Sequence, residues 1–144
     1  MARALELAQA AADAGEVPVG AVLVGPDGAV LAEAANAMRA TSDPTAHAEI
    51  AVIRAACAAL GTERLPGCDL YVTLEPCPMC AAAISAARIA RLYYAASDPK
   101  SGGVEQGPRV FSHPQAHHVP EIYDGIRAAE SEAQLKAFFR DRRS

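Results

Sequence analysis

The triplet His47-Ala48-Glu49 and the run Pro76-Cys77-Pro78-Met79-Cys80, which begins 27 positions after Glu49, hold residue types suited to metal chemistry. One imidazole and two thiols make three good zinc ligands, and one carboxylate is left over. A structural zinc site normally closes with four protein ligands, whereas a catalytic site keeps three and leaves a position for water. A carboxylate beside that water can take its proton. Two thiolates and a neutral imidazole already balance Zn²⁺, so the water is acidified less than in an all-histidine site and a dedicated base is useful. The chemistry expected is zinc-dependent hydrolysis, with His47, Cys77 and Cys80 as ligands and Glu49 as proton shuttle.

Spacing says where these residues must sit. Successive helical residues are about 100° apart, so His47 and Glu49 would diverge inside a helix and can converge only at its entrance. Thr45 is the expected N-cap there, just after Asp43-Pro44. Cys77 and Cys80 are three apart and share one helix face, and Pro76 and Pro78 suit a first turn. Both half-sites are therefore expected at helix N-termini, where the dipole favours thiolates. C-x-x-C by itself also fits a redox pair, or half of a closed structural site completed by Cys57, Cys68, His113, His117 or His118. The Pro-rich setting of the three histidines suits loop bracing, and the apolar neighbours of Cys57 and Cys68 suit core filling.

The elements follow from periodicity and turn chemistry. Residues 1–14 read as a helix that Gly15 ends, and 17–24 and 30–34 as strands joined by the turn Gly25-Pro26-Asp27-Gly28. A polar loop over 36–43 leads to a helix with the predicted core stripe Ile50, Ile53, Cys57 and Leu60, stopped by Gly61. Residues 70–74 read as a strand, followed by a helix to about Arg88 and a strand over 89–95. The glycines and prolines of 97–120 predict loop with a short helix near Val110, then a brief strand at 121–123. Ser131 and Gln134 form a predicted capping box opening the last helix. An α/β fold results, a sandwich on a mixed sheet within one domain spanning 1–144.

A net charge of −4 excludes bulk electrostatic capture of nucleic acid but leaves room for a local basic patch. Glu6, Gln9 and Asp13 interrupt the N-terminal apolar run, and Arg88 and Arg91 break the stretch 81–96. No secretory or membrane segment is expected, and reduced thiols suit a cytoplasmic protein.

The combination H-x-E with P-C-x-x-C is similar to the signature of zinc deaminases of bases. Beyond it, Glu16 to Val24, Asp43 to Ile50, Leu70 to Cys77, Ser97 to Lys100 and Phe138 to Arg143 resemble the bacterial tRNA-specific adenosine deaminases. That resemblance covers nearly the whole chain. It implies a cytidine-deaminase-like three-layer α/β/α sandwich with about five strands, one zinc ion per subunit, and a homodimer. It also implies conversion of adenosine to inosine at the wobble position of a tRNA anticodon stem-loop, usually of an arginine tRNA. Carried over by position, Asn36 would contact the extruded nucleoside, Val19 and Leu74 would wall the base pocket, and Asp98 and Lys100 would lie near the nucleotide and its neighbours. Phe139 and Arg140 would lie near the RNA. Deamination of a free nucleobase or nucleoside such as guanine or cytosine is the alternative, since the zinc signature serves both; a zinc-stabilised nucleic-acid-binding module without catalysis is a third.

Overall fold

The computed structural model describes residues 1–143. Chain order is α1 (Ala2–Asp13), β1 (Gly20–Val24), β2 (Val30–Ala35), a single turn α2 (Met38–Thr41), α3 (Ala48–Leu60), β3 (Asp69–Leu74), α4 (Pro78–Ala86), β4 (Arg91–Ala96), a 3₁₀ turn (Val110–Ser112), β5 (Glu121–Tyr123) and α5 (Ala128–Arg143). The five strands form one sheet in the order β2-β1-β3-β4-β5. β1 pairs antiparallel with β2 and with β3, while β3–β4 and β4–β5 are parallel, so the sheet is mixed. α3 and α4 cover one face, α1 and α5 the other, giving the three layers.

β1 is apolar throughout because it is central and covered on both faces. Ala21 and Leu23 join Leu70, Val72, Leu92 and Tyr94 in the core under α3 and α4. On the opposite face α1 lies so close that a Cβ on Gly20 would come within 2.1 Å of the Ala4 carbonyl oxygen. Alanines at positions 4, 8 and 11 of α1, all buried, permit that approach. The parallel pairing has a consequence for placement: α4 leaves from the C-terminal end of β3, and the segment 97–106 leaves from the same end of β4. Open α/β sheets collect ligands at that end.

Three expectations need correction. The side of α3 buried deepest on the sheet is Ala48, Val52 and Ala56; of the predicted stripe Ile50, Ile53, Cys57 and Leu60, Ile53 and Cys57 pack partly buried against the core and Leu60 is 53% exposed. Both faces of this helix are apolar, and close packing on a sheet selects the one with smaller side chains. Ser131 does not open α5, which begins at Ala128. It is buried inside the helix, where its hydroxyl donates to the Thr73 carbonyl and Gln134 donates to the Leu5 carbonyl. Finally, the loop 36–43 contains α2, whose Arg39 and Ala40 N–H groups donate to the buried Glu16 carboxylate.

Candidate active site and metal centre

His47, not Thr45, is the N-cap residue of α3, with extended backbone (φ −78°, ψ 149°). Thr45 is held in the preceding turn by Asp43, whose Oδ1 accepts from both its N–H and its hydroxyl. The first α3 donor is capped from elsewhere: Asn36 Oδ1 accepts from Ala48 N–H at 2.9 Å. That leaves the His47 side chain free, and Glu49 occupies the first turn, buried. Cys77 is the N-cap of α4, Pro78 its first residue, and Cys80 lies fully buried one turn in.

The two helix entrances meet. Cys80 Sγ lies 3.4 Å and Cys77 Sγ 3.7 Å from His47 Nδ1. All three donor atoms fall within 4.8 Å of one another. Zinc bonds of about 2.0–2.3 Å meeting tetrahedrally would separate nitrogen from sulfur by about 3.5 Å, so the donor set fits zinc as it stands. The thiols fit it electrostatically as well. The Cys80 thiol, donating to Cys77, holds the Cys77 thiol down to about 4, with His47 assisting. Cys80 itself is driven far up by that bond and by burial. Two sulfurs thus compete for one proton, and a divalent cation is what allows both to ionise.

Glu49 stands beside this cluster. Its Oε1 is buried with no hydrogen-bond partner, and burial pushes its carboxyl up to about 7. It opens on a cavity of about 150 Å³. Small-molecule pockets typically run from about 300 Å³ upward, so this one suits a single base. Val19, Asn36, Leu74 and Asp98 line it together with His47, Glu49 and Cys77. Asn36 Oδ1 is committed to Ala48, which leaves its amide nitrogen for the cavity.

Lys100 and Phe139 stand outside that cavity. They border an adjoining groove of about 440 Å³, which shares Val17, Leu74, Asp98 and Ser101 with the base-sized pocket. Arg140 faces a neighbouring hollow with Lys136, which shares Leu135 and Phe139 with the groove. The histidines at 113, 117 and 118 lie away from the cluster; His113 Nε2 bonds the Pro108 carbonyl and His118 Nε2 the Ile89 carbonyl, which is loop bracing. Of the remaining cysteines, Cys68 is buried and Cys57 half-buried. Sequence reasoning missed Val17, Met38, Glu75 and Ser101 as lining residues. Only Glu75 carried a signal, an acid at the end of an apolar strand.

The chain matches the family model for the cytidine and deoxycytidylate deaminase zinc-binding region over residues 1–96. It is 61% identical over 143 residues to the tRNA-specific adenosine deaminase of Agrobacterium fabrum, spanning 99% of this chain and 93% of that one. Among solved structures, one from biochemical and structural studies of A-to-I editing by tRNA:A34 deaminases at the wobble position of transfer RNA superposes with a TM-score of 0.89. It is 62% identical and the match covers 92% of this chain and 95% of that one. A guanine deaminase from Bacillus subtilis superposes less closely, with a TM-score of 0.65 at 35% identity over 96% of this chain and 90% of that one. Likeness of this extent decides membership: the chain belongs to the zinc-dependent cytidine and deoxycytidylate deaminase family and, within it, to the group of the tRNA-specific adenosine deaminases.

Proposed function

We propose that this protein hydrolyses adenosine to inosine at the wobble position of a tRNA anticodon stem-loop, with an arginine tRNA as the expected substrate. The observation that carries the reading is the buried, unpartnered Oε1 of Glu49 beside a three-donor metal cluster, at a base-sized pocket that continues into a groove towards α5. The nearly full-length likeness to tRNA-specific adenosine deaminases supports the choice of substrate.

His47, Cys77 and Cys80 would hold zinc, which would supply a Lewis acid to acidify a water beside the substrate. Glu49 takes a proton from that water and delivers it to N1 of the adenine, which makes C6 more electrophilic. The water oxygen bonds to C6, its second proton is carried by Glu49 to the amino group, and the C6–N bond breaks so that ammonia leaves and the oxygen stays on the base. Val19 and Leu74 exclude solvent from the base, and the Asn36 amide holds the nucleoside by a polar contact. Asp98 and Lys100 meet the nucleotide and its neighbours where pocket and groove join, and Phe139 and Arg140 meet the flanking strand. Both ligand-bearing helices direct their positive ends at the site, which favours thiolates and developing negative charge. An anticodon loop is already unpaired, so extruding its base costs little.

The reading includes a homodimer. Leu60 on α3 is 53% exposed and Ile53 and Cys57 are only partly buried, which supports an apolar partner surface there. No helix among the described residues is long and apolar enough to cross a membrane, and a cytoplasmic site of action follows from the substrate.

The base-sized pocket and the guanine deaminase likeness keep a second reading in view, deamination of a free base. Product analysis separates them. Zinc-loaded protein is mixed with a stem-loop RNA carrying adenosine at the wobble position, and with free adenosine, guanine and cytosine in parallel. Inosine at that RNA position with the free compounds untouched is the expected result. Turnover of a free compound with inert RNA would replace the substrate assignment.

A further inference from the structure

Glu75 lies between β3 and Cys77, 2% exposed, and its carboxylate is occupied entirely by the chain that follows β4. Oε1 accepts from Asp98 N–H at 3.0 Å. Oε2 accepts from the N–H groups of Val104, Glu105 and Gln106 at 3.1, 3.0 and 3.1 Å. One side chain thus grips both ends of the segment 98–106. The fit around it is close, since a Cβ on Gly102 would come within 2.5 Å of the carboxylate. The same segment is pressed against the metal-binding turn: Gly103 N–H donates to the Pro76 carbonyl at 2.8 Å, and a Cβ there would meet Pro78 N at 2.6 Å. Within the segment, Asp98 Oδ1 accepts from the N–H groups of Lys100 and Ser101, so the turn is rigid once Asp98 is placed. Asp98 and Ser101 both border the base-sized pocket and the adjoining groove.

We propose that Glu75 is a positioning residue for substrate: by holding the 98–106 segment it sets where Asp98 and Ser101 stand at the junction of pocket and groove. This rests on the reading that pocket and groove take the target nucleotide and its neighbours. Glu75 borders the pocket, but both its carboxylate oxygens are taken up by N–H groups of the 98–106 segment, so it acts through Asp98.

The chemistry of the substitution Glu75→Gln makes the inference specific. Glutamine has one acceptor oxygen and one donor nitrogen. Its oxygen can serve the three N–H groups of 104–106, which leaves its amide facing the Asp98 N–H, donor against donor. The damage then concentrates on Asp98, while the contact of Gly103 with the metal-binding turn persists. E75Q should therefore retain one zinc per chain and keep kcat for the stem-loop RNA within about threefold, while KM rises about tenfold, the factor carried by one hydrogen bond to a charged group. Backbone amides of 98–106 should exchange faster with solvent than in the unaltered protein, and those of α3 at the same rate. E75D keeps both oxygens on a shorter stem; its KM should fall between the other two, and it carries the test if E75Q does not fold. Loss of zinc, or a fall in kcat larger than the rise in KM, would overturn the proposal by assigning Glu75 to the metal turn. Unchanged exchange over 98–106 would overturn it without reference to any substrate. If the unaltered protein leaves the RNA adenosine intact, the functional reading falls, and exchange by itself decides whether Glu75 anchors the segment.

Discussion

Glu49 is a buried carboxyl with an oxygen that no protein donor satisfies, an expensive arrangement unless that oxygen is needed for chemistry. Glu49→Gln should keep zinc and fold, since shape and volume are conserved, while kcat falls by about 10²–10⁴, the usual worth of a positioned proton carrier. Elemental analysis and single-turnover assays on the same preparation check both halves; substantial residual turnover would remove Glu49 from its role. Cys77→Ser and Cys80→Ser should lose metal together with activity, and a strong chelator should lower the melting temperature of the unaltered protein but not of these variants. Glu105 offers a test in acid. Hydroxyl donors from Ser97 and Tyr94 hold its carboxyl below the ordinary 4.5. Its contribution to stability is therefore present above about pH 4.5 and is lost as pH falls through the depressed value. Melting curves of E105Q and the unaltered protein should differ at pH 7 and converge in strong acid.

Elements place these residues through close approach and borrowed caps. Gly103→Ala would drive a Cβ into the backbone of Cys77 and Pro78, which has no flexible side chain to yield. A loss of about 1–3 kcal/mol is expected, as for overpacked cores, and activity should fall with it because the metal-binding turn moves. Gly20→Ala should destabilise at least as much through the α1–β1 contact while sparing zinc stoichiometry in whatever fraction folds. Denaturant titration with metal analysis separates the two. Much of this layer was legible in sequence: the hairpin turn, the α4 entrance with Pro78, the 3₁₀ turn near Val110 and the brief β5 all stand where periodicity and turn chemistry put them. The failures share a cause. Thr45 and Ser131 have the composition of caps, but local pattern cannot see that Asp43 engages Thr45, or that Thr73, 58 residues from Ser131, takes its hydroxyl.

At the scale of the molecule, RNA must be captured by a chain of net charge −4, so local geometry has to replace bulk attraction. Lys100 at the groove and Arg140 on α5 are the cations the functional reading uses. Lys100→Ala should weaken RNA binding and flatten the slope of log K against log salt by about one if the lysine neutralises a phosphate. Phe139 is 44% exposed, so Phe139→Ala should raise KM for the stem-loop with little change in melting temperature. Equal loss of activity on a free base would argue against a role in RNA contact.

The chemistry was determined by sequence because ligand identity is local. His47, Glu49, Cys77 and Cys80 declare a three-ligand zinc site with a spare carboxylate through residue type and spacing, and two helix entrances are the only local geometry that lets them converge. Val19, Leu74, Asn36 and Asp98 carry no such declaration, since an apolar strand residue or a turn amide has many uses. Only the tertiary structure decided that these four share one cavity with the metal cluster. Only it decided which apolar side of α3 meets the sheet, and that buried acceptors on Glu16, Asn36 and Glu75 tie the walls of that cavity in place. The reason is physical. A buried acceptor is chosen by the backbone donor it must satisfy, and in each case that donor lies 12 or more residues away along the chain.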